Sequence, residues 1–200
     1  MKTIDGIKLV ERDGVTYTVN RRTWYSKTKT PYTGIAVNYH PNGQKQTEGN
    51  YQDGKREGIW TSWYENGQKQ TEGTYQHGKA EGIWTSWHDN SQKWMEGTYS
   101  HGNEEGVWIW WHPNGQKDTE VTFKDGKAEG VSIRWYDNGQ KLEEGTYKDG
   151  KAEGVWTYYR HDNGQKLAEG TYQDGKKEGV WTAWDENGKE KCKASFKAGK

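Results

Sequence analysis

The sequence predicts an all-β fold, an elongated single-layer antiparallel meander of about seven 24-residue β-hairpin repeats. Three observations predict it. The turn signals Asn-Gly and Asp-Gly alternate in phase, with a spacing of 24 residues that becomes 25 only between Asn138 and Asn163. The runs between these signals are rich in β-branched and aromatic residues, which favour strands. The chain has 13 Trp, 13 Tyr and 27 Gly but only three Leu, too few for the apolar stripes of a helical bundle.

Charge and hydropathy exclude several classes of partner. The 200 residues carry 29 Lys+Arg and 29 Asp+Glu, a formal net charge of +0. Polyanion binding and attachment to acidic membranes need a positive surface, so no nucleic acid partner is expected. No run approaches ~18 apolar residues, so no membrane span is predicted. Residues 1–10 show no signal peptide, which predicts a cytoplasmic protein by default, or a secreted or periplasmic one if a leader was trimmed.

Each repeat is interpreted as two antiparallel strands joined by a tight turn. Asn-Gly between strand-like runs is a strong hairpin signal, because a type I′ turn requires positive φ at both central residues. Ser91 replaces the glycine of this pair once. The segment Asp-Gly-Lys-x-Glu-Gly, as at 53–58, then turns the chain into the next unit. Seven units from Gly34 onward predict about fourteen strands.

Positions within the repeat predict which residues share a face, because side chains alternate along a strand. Counted from the glycine of Glu-Gly, the first, third and fifth positions are β-branched or aromatic, and we expect them to form the buried apolar face. The second position is mostly Trp and points the other way. Strand glycines two residues before an aromatic residue are interpreted as seats for these tryptophan rings. The seats are Gly49, Gly73, Gly97, Gly145 and Gly170.

The N-terminal region differs from the repeats. Residues 1–33 do not follow the period, and Leu9–Val19, with Asp13-Gly14 at its centre, is typical of a separate hairpin that caps the first repeat. We therefore divide the chain into an N-terminal capping hairpin and basic segment, residues 1–33, and a repeat array, residues 34–200. The single cysteine, Cys192, excludes an internal disulfide.

One string carries a family resemblance. Residues 144–156, Glu-Gly-Thr-Tyr-Lys-Asp-Gly-Lys-Ala-Glu-Gly-Val-Trp, resemble the MORN repeat, and the longer unit with Asn-Gly-Gln-Lys resembles the MORN-repeat variant of the bacterial YwqK family of antitoxins. The resemblance covers roughly residues 32–200 and implies a twisted single-layer sheet used as a binding scaffold. In bacteria it implies toxin neutralisation. It brings no catalytic residues. Ser91, Val121, Ser132 and an insertion near His161 depart from the pattern.

Three kinds of functional site are disfavoured by the spacing or the repetition of the residues that would form them. The pattern G-x-x-x-x-G-K occurs as at Gly49–Lys55, but no Ser or Thr follows it and its context is strand–turn–strand. Histidines that share a repeat position lie about 10 Å apart, too far to bind one zinc ion. The repeated Glu and Lys positions are interpreted as surface cross-strand charge pairs. We therefore expect no enzymatic activity, no cofactor and no metal site.

The first candidate site consists of residues that depart from the repeat, because structural positions recur and a specific site does not. Trp and Arg are frequent hot spots of interfaces, so these departures suggest a partner-binding patch. Neutral drift between duplicated units would also produce them. The patch contains Trp94, Met95, Trp110, Asp118, Ser132 and Arg134.

The second candidate site is the basic N-terminal segment, which has no acidic residue between Gly14 and Thr47. Basic residues interleaved with aromatic ones suit an anion, a single-stranded nucleic acid or an acidic partner. A charged cap loop is the simpler interpretation. The candidate residues are Arg21, Arg22, Trp24, Lys27 and Lys29.

Taken together, these features favour a non-catalytic protein-binding repeat scaffold. The expected partner is a protein, specifically a bacterial toxin that the chain neutralises as an antitoxin or immunity protein. A homodimer through sheet edges or faces is a further expectation. The alternatives are a carbohydrate-binding module and a peripheral membrane-associated module, each using rows of exposed Trp. The neutral charge disfavours the membrane alternative.

Overall fold

The structure is a computed structural model that describes residues 3–4, 7–12, 15–20 and 30–197, with side chains from residue 31 onward. All regular structure in these residues is β-strand, in two sheets. The strands are β1 (Thr3–Ile4), β2 (Ile7–Arg12), β3 (Val15–Asn20), β4 (Thr30–Pro31), β5 (Gly34–Tyr39), β6 (Lys45–Gln52), β7 (Lys55–Trp63), β8 (Lys69–Gln76), β9 (Lys79–Trp87), β10 (Lys93–Ser100), β11 (Asn103–Trp111), β12 (Lys117–Lys124), β13 (Lys127–Trp135), β14 (Lys141–Lys148), β15 (Lys151–Tyr159), β16 (Lys166–Gln173), β17 (Lys176–Trp184) and β18 (Glu190–Phe196).

The first four strands form a sheet of their own, in the order β1-β2-β3-β4. β2 pairs antiparallel with β3 from Ile7↔Asn20 to Arg12↔Val15. β2 and β3 are thus paired antiparallel within the segment for which the sequence predicts a hairpin, and Asp13 and Gly14, which follow β2 in the sequence, lie outside the described residues. The role of this segment as a cap for the first repeat stays a prediction.

The remaining strands, β5 to β18, form a fourteen-stranded antiparallel sheet in which each strand pairs with its sequence neighbours. This confirms the predicted meander of hairpin repeats. The chain divides into two compact units, residues 1–91 with 99–102 and residues 92–98 with 103–200.

The Asp-Gly pairs form the two-residue turns. Asp53 and Gly54 both have positive φ, 48° and 78°, and lie between the paired residues Gln52 and Lys55. This is the backbone of a type I′ turn, whose twist matches that of the flanking strands. Asp or His takes the first place of each such turn, with φ between 48° and 53°.

The Asn-Gly pairs lie in longer loops, so the type I′ prediction for them was wrong. Only the glycine is left-handed, with φ 85° at Gly43, and its N–H donates to the His40 carbonyl at 2.9 Å. The His40 N–H donates to the Gln44 carbonyl at 2.8 Å and closes the loop. This is a type I turn followed by a left-handed residue, which leaves Asn42 with ordinary backbone angles.

The loop asparagine joins consecutive repeats. Asn66 Oδ1 accepts from the Gln68 N–H at 3.0 Å, and its Nδ2 donates to the Asp89 carbonyl one repeat later at 3.1 Å. The one-residue insertion is absorbed in such a loop, because Tyr159 still pairs with Lys166 as Trp63 does with Lys69. The insertion therefore does not change the strand register. The bridging bonds recur at Asn42, Asn114, Asn138 and Asn163.

The buried face carries the second position of the repeat, so the prediction for the first, third and fifth positions was wrong. Trp60, Trp108, Trp156 and Trp181 are 2–8% exposed, whereas the Ile or Val at the first position is 51–66% exposed. The physical reason is that no second layer covers either face of the described sheet. An indole is large enough to become buried against the strands beside it, and a lone aliphatic side chain is not.

The strand glycines are seats for tryptophan, as predicted. A Cβ at any of the five would lie 2.0–2.2 Å from Cδ2 of the tryptophan eleven residues later, so only glycine fits. The indole N–H donates to the carbonyl beside its seat, for example Trp84 Nε1 to Thr74 at 3.2 Å. Each ring therefore lies on bare backbone with its polar atom satisfied.

Tyrosine and phenylalanine rings fill the space between the tryptophans. In the first unit, Tyr51, Trp60, Tyr75 and Trp84 follow one another edge to face, with centroids 5.1–6.0 Å apart. In the second unit, the same order and geometry recur at 5.1–5.8 Å. We name this series the aromatic spine and its side of the sheet the spine face. Its second-unit members in this run are Tyr147, Trp156, Tyr172 and Trp181.

At one place in the array, both the seat glycine and the tryptophan that would lie on it are replaced by other residues. Val121 occupies a seat position and Ser132 the corresponding ring position, and the two are direct cross-strand partners with 7% and 5% exposure. A side chain in the seat excludes a ring above it, so these departures are one compensated change. Ser132 therefore departs from the repeat for a packing reason.

We predict that seat and ring are energetically coupled. Gly145→Val should lower the free energy of unfolding by ~1–3 kcal/mol, because its Cβ would lie 2.2 Å from Trp156 Cδ2. Trp156→Ser alone should cost ~3–5 kcal/mol, the usual cost of removing a buried aromatic side chain. The double variant copies Val121 and Ser132 and should be more stable than the sum of the two losses predicts. Urea unfolding measures all three, and additive losses would contradict the coupling.

Candidate functional site

The face opposite the spine carries a repeated charge ladder. Lys69 Nζ bonds Glu72 Oε2 at 2.7 Å and lies 5.9 Å from the ring of Trp87 in the next repeat. Thr61 Oγ1 donates to the same carboxylate at 3.1 Å. We name this side, which also exposes the first-position Ile and Val, the ladder face. The ion pairs recur at 45–48, 93–96, 117–120, 141–144 and 166–169.

The ladder corrects the interpretation of the Glu and Lys positions. The pairs join residues i and i+3 of one strand and do not cross between strands. A β-bulge brings both side chains to one face, because the pairing shifts between Ser62 and Trp63. Since the same Lys–Glu pair occurs in six repeats and only the last repeat reverses it, as Glu190–Lys193, this face has few features that would distinguish one partner from another.

A row beside the spine changes chemically from repeat to repeat. In the second unit, Trp110, Thr119, Arg134, Glu143, Tyr158 and Ala168 are successive cross-strand partners. They run across β11 to β16 and form the variable row. Because neighbouring strands are ~4.8 Å apart, its three large members follow one another at about 10 Å. In the first unit the row consists of Asn38, Thr47, Ser62, Thr71 and Ser86.

The large members of the variable row are held in place by neighbours. Trp110 stacks on Trp108 with centroids 5.9 Å apart and an interplanar angle of 29°. Arg134 Nη1 donates to Glu143 Oε1 at 3.1 Å, and the arginine side chain is 47% exposed. The row therefore presents an indole and a guanidinium in fixed positions.

Tyr158 completes this row. Its hydroxyl lies 3.1 Å from that of Tyr172. Burial, and then the hydrogen bond with Tyr172, raise the pKa of Tyr158, so the phenol stays neutral at physiological pH. It therefore acts as a neutral hydrogen-bonding group next to the charged Arg134–Glu143 pair.

The structure brings together only part of the predicted patch. Trp110 and Arg134 lie in the variable row, and Met95, which is partly buried, occupies the repeat position of Thr71 in the same series. Ser132 is buried beneath the surface.

The other two patch residues lie outside the row. Trp94 is 46% exposed and occupies the same repeat position as Asp118. Asp118 is the extra residue of the bulge opposite Trp110 and Trp111. These positions therefore flank the row and do not belong to it.

The second predicted site cannot be placed. Arg21, Arg22, Trp24, Lys27 and Lys29 lie outside the described residues. Their interaction with an anion or acidic partner stays a prediction.

Sequence reasoning missed Glu143 and Tyr158. A signal was present, because Tyr158 has the same repeat position as Trp110 and Arg134, and Glu143 is the cross-strand partner of Arg134. A comparison of chemical class position by position would have found the whole row.

Two predicted alternatives rested on a row of exposed tryptophans at the second position. This was wrong, because the described tryptophans at that position are buried or half-buried on their seats. These second-position tryptophans therefore do not form a row of free ring faces on which sugars would stack. Within residues 30–197, no group of three or more His, Cys, Asp and Glu side chains is placed to hold a metal ion. The same part of the chain has no helix of the length and hydropathy needed to cross a membrane.

Comparison with known families identifies the repeat. The family described as "MORN repeat variant" matches residues 32–53, 56–77, 80–101, 104–125, 128–149 and 177–198, together more than half of the chain. The chain belongs to the MORN repeat variant family. The stretch of the array left unmatched between residues 149 and 177 contains the one-residue insertion.

Comparison with individual proteins adds little. No curated protein matches the chain. Among solved structures, one titled "Crystal structure of GtfA/B complex bound to UDP and GlcNAc" is similar at 8% identity with a TM-score of 0.22. The alignment covers 70% of this chain and 24% of that chain, so this protein spans about a quarter of it. At this TM-score the similarity carries no argument about function.

We predict that acid weakens the ladder of this MORN-repeat array. The Lys141 ammonium, 2.6 Å from Glu144, and the Tyr159 hydroxyl both donate to Glu144 and hold its pKa below the ordinary value. A carboxylate with a depressed folded-state pKa adds stability above its unfolded pKa of about 4.3 and loses it as the pH falls through the folded value. Glu144→Gln should therefore reduce the stability lost between about pH 5 and pH 3, by ~0.5 kcal/mol for so exposed a pair.

Urea unfolding at the two pH values measures this effect. The control is Glu186→Gln, which removes an exposed carboxylate whose side chain has no hydrogen bond within the described residues. The control should keep the pH dependence of the unchanged protein. If Glu144→Gln also keeps it, the ladder does not respond to acid as proposed.

Proposed function

We propose that this MORN-repeat chain is a non-catalytic scaffold that binds a protein partner on its spine face, along the variable row of β11 to β16. One observation carries the proposal. Three consecutive repeats place Trp110, Arg134 and Tyr158 at the same position, linked in cross-strand register through Thr119 and Glu143. The residues beside them recur almost unchanged. Recurrent residues build the sheet, and the variable ones are free to match a partner.

The residue types in the row suit a protein interface. Trp, Tyr and Arg are the side chains most enriched among interface hot spots. Stacking on Trp108 and the Glu143 ion pair hold Trp110 and Arg134 before binding, which reduces the entropy lost on association. From Trp110 to Ala168 the row crosses five strand intervals, about 24 Å. That length suits a standard interface of ~800 Å² per partner.

The partner in this proposal is a bacterial toxin, which the chain neutralises as an antitoxin or immunity protein in the cytoplasm. The support is the resemblance of the Asn-Gly-Gln-Lys unit to bacterial antitoxins, together with a surface that is suited to binding. An inhibitor that blocks a toxin needs such a surface and no catalytic group. A homodimer through edges or faces stays a prediction.

Coexpression tests the antitoxin role. The product of the gene beside that of this chain should arrest growth when expressed alone in a bacterial host, and coexpression of this chain should restore growth. Affinity purification of the tagged chain, followed by mass spectrometry, should recover the same protein. Growth arrest that persists in the presence of soluble chain would overturn the antitoxin role.

We predict that the captured partner depends on the variable row. Trp110→Ser and the double change Arg134→Ser/Glu143→Thr install the residue types that Ser62 and Thr71 already hold in the first unit, so the fold should be kept. Each should weaken capture about tenfold or more, the loss of one hot spot. Affinity is measured by calorimetry and folding by the thermal transition.

The matched control lies on the ladder face. Ile83→Thr changes a side chain that is 66% exposed there and should leave the affinity unchanged. A partner that is lost with Ile83→Thr and kept with Trp110→Ser would place the interface on the wrong face for this proposal.

A further inference from the structure

A small groove lies beside the spine of the first unit. It has a volume of 270 Å³, and its walls include Arg56 and Trp60. The variable-row residues Asn38, Thr47, Ser62 and Thr71 also line it. The groove is open because these side chains are small, where the second unit has Trp, Arg and Tyr. Its lining combines hydroxyl and amide groups with one cation.

Arg56 contacts the spine but occupies a repeat position at which the spine does not require a charged side chain. The same repeat position holds Ala80, Glu104, Ala128 and Ala152 in four other repeats. The guanidinium carbon lies 4.6 Å from the Trp60 ring centroid.

Among the residues whose side chains are described, the groups that contact the Arg56 guanidinium are neutral rings and a hydroxyl. Its carbon lies 5.2 Å from the Tyr75 ring, and Nη1 donates to the Tyr75 hydroxyl at 2.9 Å. Among the carboxylates of residues 30–197, none forms an ion pair with it. Arg134, by contrast, has Glu143.

An arginine in this state favours a carboxylate. A guanidinium has five N–H donors in a planar fork that matches the two oxygens of a carboxylate. Stacking on Trp60 already restricts the side chain, so less conformational entropy is lost when a ligand binds. The neutral lining leaves the charge of Arg56 uncompensated. The hydroxyls of Ser62 and Thr71 line the groove but are already bonded, to Gln70 Oε1 at 3.4 Å and to Ser86 Oγ at 3.2 Å, so Arg56 is the group that would pair with the carboxylate.

We infer that this groove binds the side-chain carboxylate of an Asp or Glu residue of the protein partner, with Arg56 as the residue that pairs with its charge. The inference rests on the proposed function, because a protein segment that docks on the spine face presents side chains to this groove. It gives the first unit a charge-specific contact of its own. Arg56 thus gives the spine face a preference for acidic segments.

Titration with a small probe tests the inference without the partner. The chain has six arginines, so the Nε–Hε region of a ¹⁵N spectrum is sparse and Arg56→Lys assigns the Arg56 signal. N-acetylglutamate N-methylamide should shift the signals of Arg56 and of the Trp60 indole. The uncharged glutamine analogue should bind more weakly and give smaller shifts at the same concentration, since charge-assisted hydrogen bonds are the stronger ones. Added salt should reduce the glutamate effect.

Two variants control for structure. Arg56→Gln should abolish the shift of the Trp60 signal, and circular dichroism checks that the variant is folded. Lys177→Gln removes a cation from the same repeat position in the second unit, where Lys177 lies 4.1 Å from the Trp181 ring, and should leave the titration unchanged. Arg56→Lys, which keeps the charge, should retain part of the Trp60 response.

The outcomes separate this inference from the proposed function. Equal shifts from the glutamate and glutamine analogues, or a larger shift from inorganic phosphate, would overturn the carboxylate site. Trp110→Ser should leave this titration unchanged while it weakens partner capture. If the titration is as expected and Trp110→Ser does not weaken partner capture, the result counts against the variable row as the binding surface and does not affect the carboxylate site.

Discussion

A tryptophan ring that lies on the bare backbone of a strand glycine is the contact on which the rest of the array depends. The sheet has few aliphatic residues, and no layer of the described residues covers it, so each indole is buried against Gly73 or its equivalents and against the aromatic rings on either side. The indole N–H bonds the carbonyl next to the seat, so burial leaves no polar atom without a partner. Edge-to-face ring contacts each add ~0.5–1.5 kcal/mol beyond the area they bury.

This contact also explains why the two faces of the sheet are stabilised by different interactions. The spine supplies the packing, and the Lys–Glu–Thr bonds of the ladder face fix the opposite side. Both sets of residues recur because each repeat needs them. The sheet does not depend on the residues of the variable row. Trp110, Arg134 and Tyr158 can therefore differ from Ser62, which holds the equivalent position in the first unit, without weakening the sheet. Arg56 is a second position of this kind, since the spine does not require it.

Much of the fold and part of the site could be predicted from the sequence. The period, the fourteen strands and the glycine seats were correct, because a glycine within a strand has few explanations other than close approach of another group. The buried face was wrong, because the hydropathy of Ile59 and Trp60 does not reveal that the sheet has one layer. The type I′ turn was predicted at Asn-Gly and occurs at Asp-Gly instead, because the hydrogen bonds that close the longer loop, such as those of His40 and Gln44, cannot be read from the Asn-Gly pair itself. Tyr158 was missed, because tyrosine is common at other positions of this chain.

The ring and its seat stand on opposite sides of an Asp-Gly turn, with Gly49 in β6 and Trp60 in β7. A chain break in an Asn-Gly loop therefore keeps each seat glycine and its tryptophan on the same fragment. A chain break at Asp-Gly places them on different fragments. Shortened or lengthened versions of the array have a natural joining point at the asparagine loops. A block excised between two of these loops removes one seat glycine together with its tryptophan and lets the flanking strands meet in an unaltered register.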